Sequence, residues 1–218
     1  MDLAELRKLV RQGEGFQLEF KRKAKYPEKI AREFVAFANS EGGILLLGVD
    51  DDGSIYGSKN PGEDQFILED FLQKYLVPKI DYKIQRIPIT AQREVLVFHV
   101  KSGYRKPHFI RYPDRNSEKQ AYVRVKDMSV KASKEMVKVL RHNKDKQGVS
   151  LRIGEAEKRI LGYLEEHAGI NLQTASELLK SNLQQASSKL VILTRAGILS
   201  IKPSEKGDVF SLNKKAFE

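Results

Sequence analysis

The chain contains no cysteine and no tryptophan. Without thiols it can form neither disulfides nor thiolate metal sites. No apolar run approaches the roughly 20 residues that carry a helix across a bilayer, and residues 1–10 are charged and amphipathic rather than signal-like. The expectation is a cytoplasmic protein with no membrane partner. The sequence also lacks a GxxxxGK[ST] loop, so no nucleotide cofactor is supported.

What is present in excess is positive charge, formally +10 over 218 residues. It is unevenly spread, because residues 101–146 hold fourteen Lys and Arg against five Asp and Glu. Phosphate backbones are the commonest partner for such a concentration, with a solvated, solubilising face as the alternative. Within this segment Lys106, His108 and Arg111 lie together. A phosphate or base contact is plausible for His108, whereas His99, flanked by Phe98 and Val100, reads as a packed side chain.

The chain is organised around residues 34–53, FVAFANSEGGILLLGVDDDG. Ile30, Phe34, Phe37 and Ala38 recur at helical spacing, which predicts a helix over residues 27–40 with Pro27 in its first turn. Gly42 and Gly43 stop it, and residues 44–49 read as a strand buried on both faces. Asp50, Asp51 and Asp52 at its end form either a tight Asp-Gly turn or a cation-holding site.

Before that unit, residues 3–10 predict a short amphipathic helix and residues 16–20 a strand. Phe16, Leu18 and Phe20 share one face of the strand, so Glu19 points to the other, and Glu14 sits in the preceding turn. An acid inside a short strand calls for a reason: pairing with Lys21 or Lys23, or metal ligation. After the unit, a helix over residues 63–77 should turn Ile67, Phe71 and Tyr75 inward, followed by strands over 82–89 and 94–101. Residues 120–126 alternate, placing Tyr122, Arg124 and Lys126 on a solvent face suited to nucleic acid, or to a protected sheet edge. A helix over 132–141 closes this domain, and residues 142–148 form a polar linker.

Beyond residue 150 three helices are expected, the second over 172–179 and the third through Leu183, Ala186, Leu190 and Leu193, with Ser181 and Asn182 as a tight junction. A hairpin over 198–202 and 209–212, turning at 204–208, completes a pattern that resembles a winged helix-turn-helix. The third helix exposes Gln184, Gln185, Ser188, Lys189 and Arg195, types that bond to base edges or phosphates. Ten basic against eight acidic residues leave this domain nearly balanced, so a dimerisation module is the competing reading.

The segments GEGFQLEFK at 13–21, VAFANSEGGILLLGVDDDG at 35–53, KPHFIR at 106–111 and YVRVKDMSVKAS at 122–133 together resemble the Schlafen AlbA-type domain. The resemblance covers roughly residues 1–142. It implies an α+β domain with a mixed sheet and flanking helices over residues 1–143, leaving a small winged-helix domain over 150–218. In Schlafen proteins with ribonuclease activity it implies an acidic trio, here Glu14, Glu19 and Asp51, with Asp50 as the alternative to Asp51. Such a trio could hold Mg²⁺ or Mn²⁺ and activate a water against a phosphodiester. The chain departs from the animal Schlafen core in having one lobe and no cysteine. The corresponding zinc site is excluded, and a clamp would need a homodimer. Two functions remain: a nucleic-acid-binding protein acting as a DNA-binding transcriptional regulator, with Lys21 and Lys23 joining the basic residues above, or a metal-dependent endoribonuclease acting on structured RNA.

Overall fold

Helix, glycine turn and buried strand stand at the centre of the first part of the chain, as the apolar pattern requires. The structure, a computed structural model, describes residues 1–112, 118–141, 151–204 and 207–213. The chain divides into two compact units, Met1–Lys131 and Ala132–Glu218.

In the first unit, α1 (Leu3–Val10) is capped by Asp2, whose carboxylate accepts the Glu5 N–H at 2.8 Å. β1 (Leu18–Lys21), α2 (Pro27–Asn39) and β2 (Gly43–Leu47) follow. β1 and β2 are parallel, with Glu19 opposite Leu45, so α2 is the crossover of a βαβ unit. The turn from α2 into β2 needs glycine at position 42. Its φ is +82°, and an added Cβ would stand 2.7 Å from the Val100 carbonyl oxygen.

The chain continues through α3 (Pro61–Tyr75), β3 (Leu76–Val77), β4 (Tyr82–Thr90) and β5 (Arg93–Val100). The main sheet runs β1-β2-β5-β4, one parallel and two antiparallel pairings. β6 (Phe109–Arg111) lies between β3 and β7 (Lys119–Gln120), and β8 (Tyr122–Val125) pairs with β9 (Met128–Lys131). The continuous apolar run of β2 follows from burial on both sides. Leu45 and Leu47 meet Phe34 and Phe37 of α2, while Leu46 joins Phe20, Val95, Val97 and the α1 residue Leu6. The unit is α+β with a mixed sheet and flanking helices, as expected.

Two faces differ from expectation. On α3 the buried positions are Leu68 and Leu72, with Phe71 and Tyr75 partly buried and Ile67 40% exposed. The apolar stripe is therefore rotated by about one position from the one read in the sequence. In β8 both alternating faces are buried, because α2 packs over the side that alternation assigned to solvent: Tyr122 is 9% exposed and Arg124 5%.

The second unit contains α4 (Lys134–Arg141), α5 (Glu155–Glu166), α6 (Leu172–Leu179), α7 (Leu183–Arg195) and the hairpin β10 (Leu199–Lys202) with β11 (Val209–Leu212). α4, read from sequence as closing the first domain, packs on α7 here. The Ser187 hydroxyl donates to Glu135 at 2.7 Å and accepts from Lys138 at 2.8 Å. The expected linker over 142–148, the boundary placed at 143–150, and residues 205 and 206 of the expected hairpin turn lie outside the described residues. α6 ends on Lys180 in the left-handed region (φ +50°), and Asn182 caps α7 by accepting the Gln185 N–H at 2.9 Å. Ile160, Leu164, Ala175, Leu190, Leu193 and Phe210 fill this unit's core. Among the described residues no helix is long and apolar enough to cross a membrane.

Candidate functional site

Glu19 projects from β1 on the side opposite Leu18 and Phe20, toward α2 and the β8–β9 hairpin, and its carboxylate is occupied by two cations. Oε1 accepts a short hydrogen bond from the Lys21 ammonium, and Oε2 accepts from Arg124 Nη1 at 3.0 Å. The same Nη1 reaches Glu33 of α2 at 2.6 Å, while Arg124 Nη2 donates to the carbonyls of Gly15 at 2.6 Å and Asp127 at 3.0 Å. Ser129 donates to Glu33 at 2.5 Å. The Arg124 side chain is fully buried and Glu19 nearly so. This is a buried charge network joining β1, α2 and the hairpin, in which Arg124 Nε alone finds no hydrogen-bond partner among the described residues.

Burial pushes the Glu33 carboxyl above its ordinary value and the charge of Glu19 adds to this, against the pull of Ser129, Arg124 and Lys21. Burial alone would lower Lys21, but its hydrogen bond to Glu19 and the charges of Glu19, Glu33 and Glu14 prevail and raise it. Glu14 accepts the Phe20 N–H at 2.8 Å. Its pKa is raised chiefly by burial, opposed by that hydrogen bond, with Glu19 and Asp51 pushing up and Lys21 pulling down.

Glu14, Glu19 and Asp51 therefore share one electrostatic neighbourhood, on unequal terms. Glu19 is buried and cation-paired, Glu14 is half-buried, and Asp51 is exposed on the Asp-Gly turn. That turn is closed by hydrogen bonds from the Gly53 N–H to the Asp50 carbonyl at 2.9 Å and from the Asp50 N–H to the Ser54 carbonyl at 3.0 Å. The Asp50 carboxylate pairs with Arg22 at 3.0 Å. Both Glu19 oxygens accept hydrogen bonds, from Lys21 and Arg124. Among the described residues no group of three or more His, Asp or Glu is arranged to hold a metal ion.

The basic residues expected at a nucleic-acid surface are also divided. Lys23, Arg111 and Lys126 are exposed. Lys106 donates a short hydrogen bond to the Ser40 carbonyl at the end of α2, and burial lowers its pKa against the pull of Glu41. His108 is 3% exposed, its N–H donating to Asn39 Oδ1 at 2.7 Å and its Nδ1 lying 3.0 Å from the Pro78 carbonyl. Tyr122 is buried with its hydroxyl 3.0 Å from that of Tyr112. The exposed strand face read for Tyr122 and Arg124 is thus corrected to an interior one, because α2 covers it. On α7, Gln184, Gln185 and Ser188 are exposed, Arg195 is half-buried, and Lys189 pairs with the buried Glu157 of α5 at 2.7 Å. Arg115, Lys144 and Lys146 of the basic segment lie outside the described residues.

Two residues central to this arrangement went unremarked in the sequence. Glu33 borders the apolar stripe of α2, and an acid beside Ile30, Phe34 and Phe37 is the available signal that a buried cation must meet it. Asn39, 3% exposed, donates to the carbonyls of His108 and Tyr122 at 2.9 Å each. It fixes the KPHFIR and YVRV segments to the end of α2.

The family model for Schlafen, AlbA_2 matches residues 14–133, more than half of the chain. A search of curated proteins finds no match. Among solved structures, the N-terminal domain of a protein related to the ATP-dependent DNA helicase RecG, from Nitrosomonas europaea, is similar at 24% identity with a TM-score of 0.44, over 57% of this chain and 89% of that one. The DIP2311 protein from Corynebacterium diphtheriae is similar at 16% identity with a TM-score of 0.42, over 91% of this chain and 34% of that one. With one model spanning the βαβ unit, the Glu19–Arg124 network and the β8–β9 hairpin, the chain belongs to the Schlafen AlbA_2 family.

Proposed function

We propose that this protein binds nucleic acid and acts as a DNA-binding transcriptional regulator. Its family suggests the first part, and the net charge of +10 supports it through phosphate attraction. The observation that carries the finer reading is α7, which follows α6 after a tight junction at Lys180–Asn182 and keeps Gln184, Gln185 and Ser188 exposed near its N-terminal end. Amides and hydroxyls so placed are the side chains that read base edges from a helix in the major groove. The helices and the β10–β11 hairpin support a winged helix-turn-helix, and a homodimer would set two such helices on paired half-sites.

The endoribonuclease reading requires the acidic trio to accept a divalent cation, and the pairing of Glu19 with Lys21 and Arg124 argues for a structural role instead. One experiment separates them: selection from a random duplex DNA pool with the full chain, run beside incubation with structured RNA with and without Mn²⁺. A regulator enriches a defined duplex and leaves RNA intact. Failure to enrich any duplex, with Mn²⁺-dependent RNA cleavage that Glu19→Gln abolishes, replaces this reading with the nuclease.

A further inference from the structure

A groove of about 720 Å³ opens in the first unit where the chain leaving β1, the segment after the Asp-Gly turn, the start of α3 and the start of β5 converge. Five cations line it: Arg22, Lys23, Lys25, Lys59 and Arg93. Apart from Lys23, none belongs to the residues that charge density or family resemblance singled out.

The local backbone explains how they meet. Gly57 has φ +68°, and a Cβ there would stand 3.0 Å from the Arg93 Cβ, so glycine lets this segment lie along the start of β5. Arg93 Nη1 then donates to the carbonyls of Tyr56 and Gly57 at 3.3 Å each. The Arg22 guanidinium sits 4.4 Å from the centre of the Tyr56 ring, and Tyr56 remains 42% exposed. Asn60, N-cap of the fifteen-residue α3, lines the same groove, and its side chain caps no backbone N–H of the helix, so the positive end of the helix dipole faces this region. Two acids also line it, and both already accept hydrogen bonds: Asp64 from the Ser58 hydroxyl at 2.5 Å, and Glu63 from the Asn60 amide at 3.3 Å.

We infer that this groove is a nucleotide-binding site, taking a phosphate among Lys23, Lys59, Arg93 and the α3 N-terminus and the attached base against the exposed Tyr56 ring. A cationic groove bordered by a ring backed by arginine matches the chemistry of single-stranded nucleic acid, in which phosphates and stackable bases alternate. The volume is within the range that encloses small ligands. The source of the phosphate rests on the nucleic-acid reading above: a nucleotide within a strand carries it, and a free mononucleotide offers the same groups.

The test uses the full chain and three probes: a labelled single-stranded oligonucleotide, AMP and inorganic phosphate. Lys23→Glu with Lys59→Glu is compared with Lys8→Glu with Arg11→Glu, an equal change of charge at exposed positions on and just after α1. The groove pair should weaken oligonucleotide binding at least tenfold and flatten the salt slope by roughly 0.7 for each phosphate no longer neutralised. The α1 pair should stay within about twofold by the same counting, and Lys23→Arg with Lys59→Arg should restore binding. Matching unfolding midpoints establish that the variants are folded. Equal weakening by the groove and α1 pairs overturns the site while leaving nucleic-acid binding intact. AMP binding that the groove pair abolishes, without oligonucleotide binding by the wild type, keeps the site and overturns the strand reading alone. No binding of any probe by the wild type overturns the site.

Discussion

The Arg124 guanidinium lies 3.0 Å from the Glu19 carboxylate with its side chain wholly buried, so a cation read as a nucleic-acid contact is an internal counterion. Removing it leaves the buried Glu19 beside the partly buried Glu33, with Lys21 and Ser129 as their side-chain partners among the described residues. Breaking a buried pair in this way costs about 3–5 kcal/mol. Arg124→Ala should lower stability by that order in urea denaturation. Undiminished stability combined with weakened nucleic-acid affinity would place Arg124 at the surface.

Glu14 gives a pH signature. Its folded pKa lies above its ordinary value of 4.5, mainly through burial, so the folded chain holds this proton more tightly than the unfolded chain. The stability it contributes is full below pH 4.5 and is lost as pH rises through the folded pKa. Glu14→Gln keeps an acceptor for the Phe20 N–H and removes the charge. It should match the wild type in acid and become the more stable protein toward neutral pH. A gain that grows on acidification would contradict the assigned cause.

The core prediction concerns Phe34, fully buried and edge-on to Tyr82 and Phe98 at centroid distances of 5.4 and 5.5 Å. Phe34→Ala should cost about 3–5 kcal/mol through the apolar surface it no longer buries and the cavity left behind. A cost below about 1 kcal/mol, by the same scale, would mean that α2 does not pack on the sheet through this ring.

On α7, two side chains should separate by readout. Gln184→Ala should reduce discrimination between a selected duplex and random DNA by about 1–3 kcal/mol if it reads a base edge, with stability unchanged. Lys189→Ala should cost about 1–3 kcal/mol of stability, since it leaves the buried Glu157 without its cation. Reversal of the two effects would exchange their roles.

The βαβ unit was legible because its signals are local: helical spacing of Ile30, Phe34 and Phe37, a glycine stop, and a run too short and too apolar for anything but a buried strand. The β4–β5 hairpin and the helices of the second unit were legible on the same grounds. The burial of Arg124 was not, because alternation along β8 reports two faces without saying what covers each, and the cover is α2, over eighty residues earlier in sequence. The trio was legible through the family resemblance, and the parallel pairing of β1 and β2 is what brings its strands together. Its occupancy depends on Arg124 and Glu33, whose approach is tertiary. Ile67 was misplaced because Leu68 and Leu72 offer an equally regular stripe one position away, and the packing of α3 against α2 and β5 selects between them. Apart from Lys23, the groove cations were not legible because they come from three separate segments, at 22–25, 59 and 93, which only the fold brings together.

Nucleic-acid affinity of the full chain as a function of salt is the most direct test of the proposed role. Binding to duplex DNA, and separately to single-stranded RNA, should give a straight line of log affinity against log salt with a slope of about −0.9 per phosphate neutralised on the duplex and −0.7 on the single strand. Absence of binding at the lowest salt, or an affinity independent of salt, would contradict nucleic-acid binding by this protein.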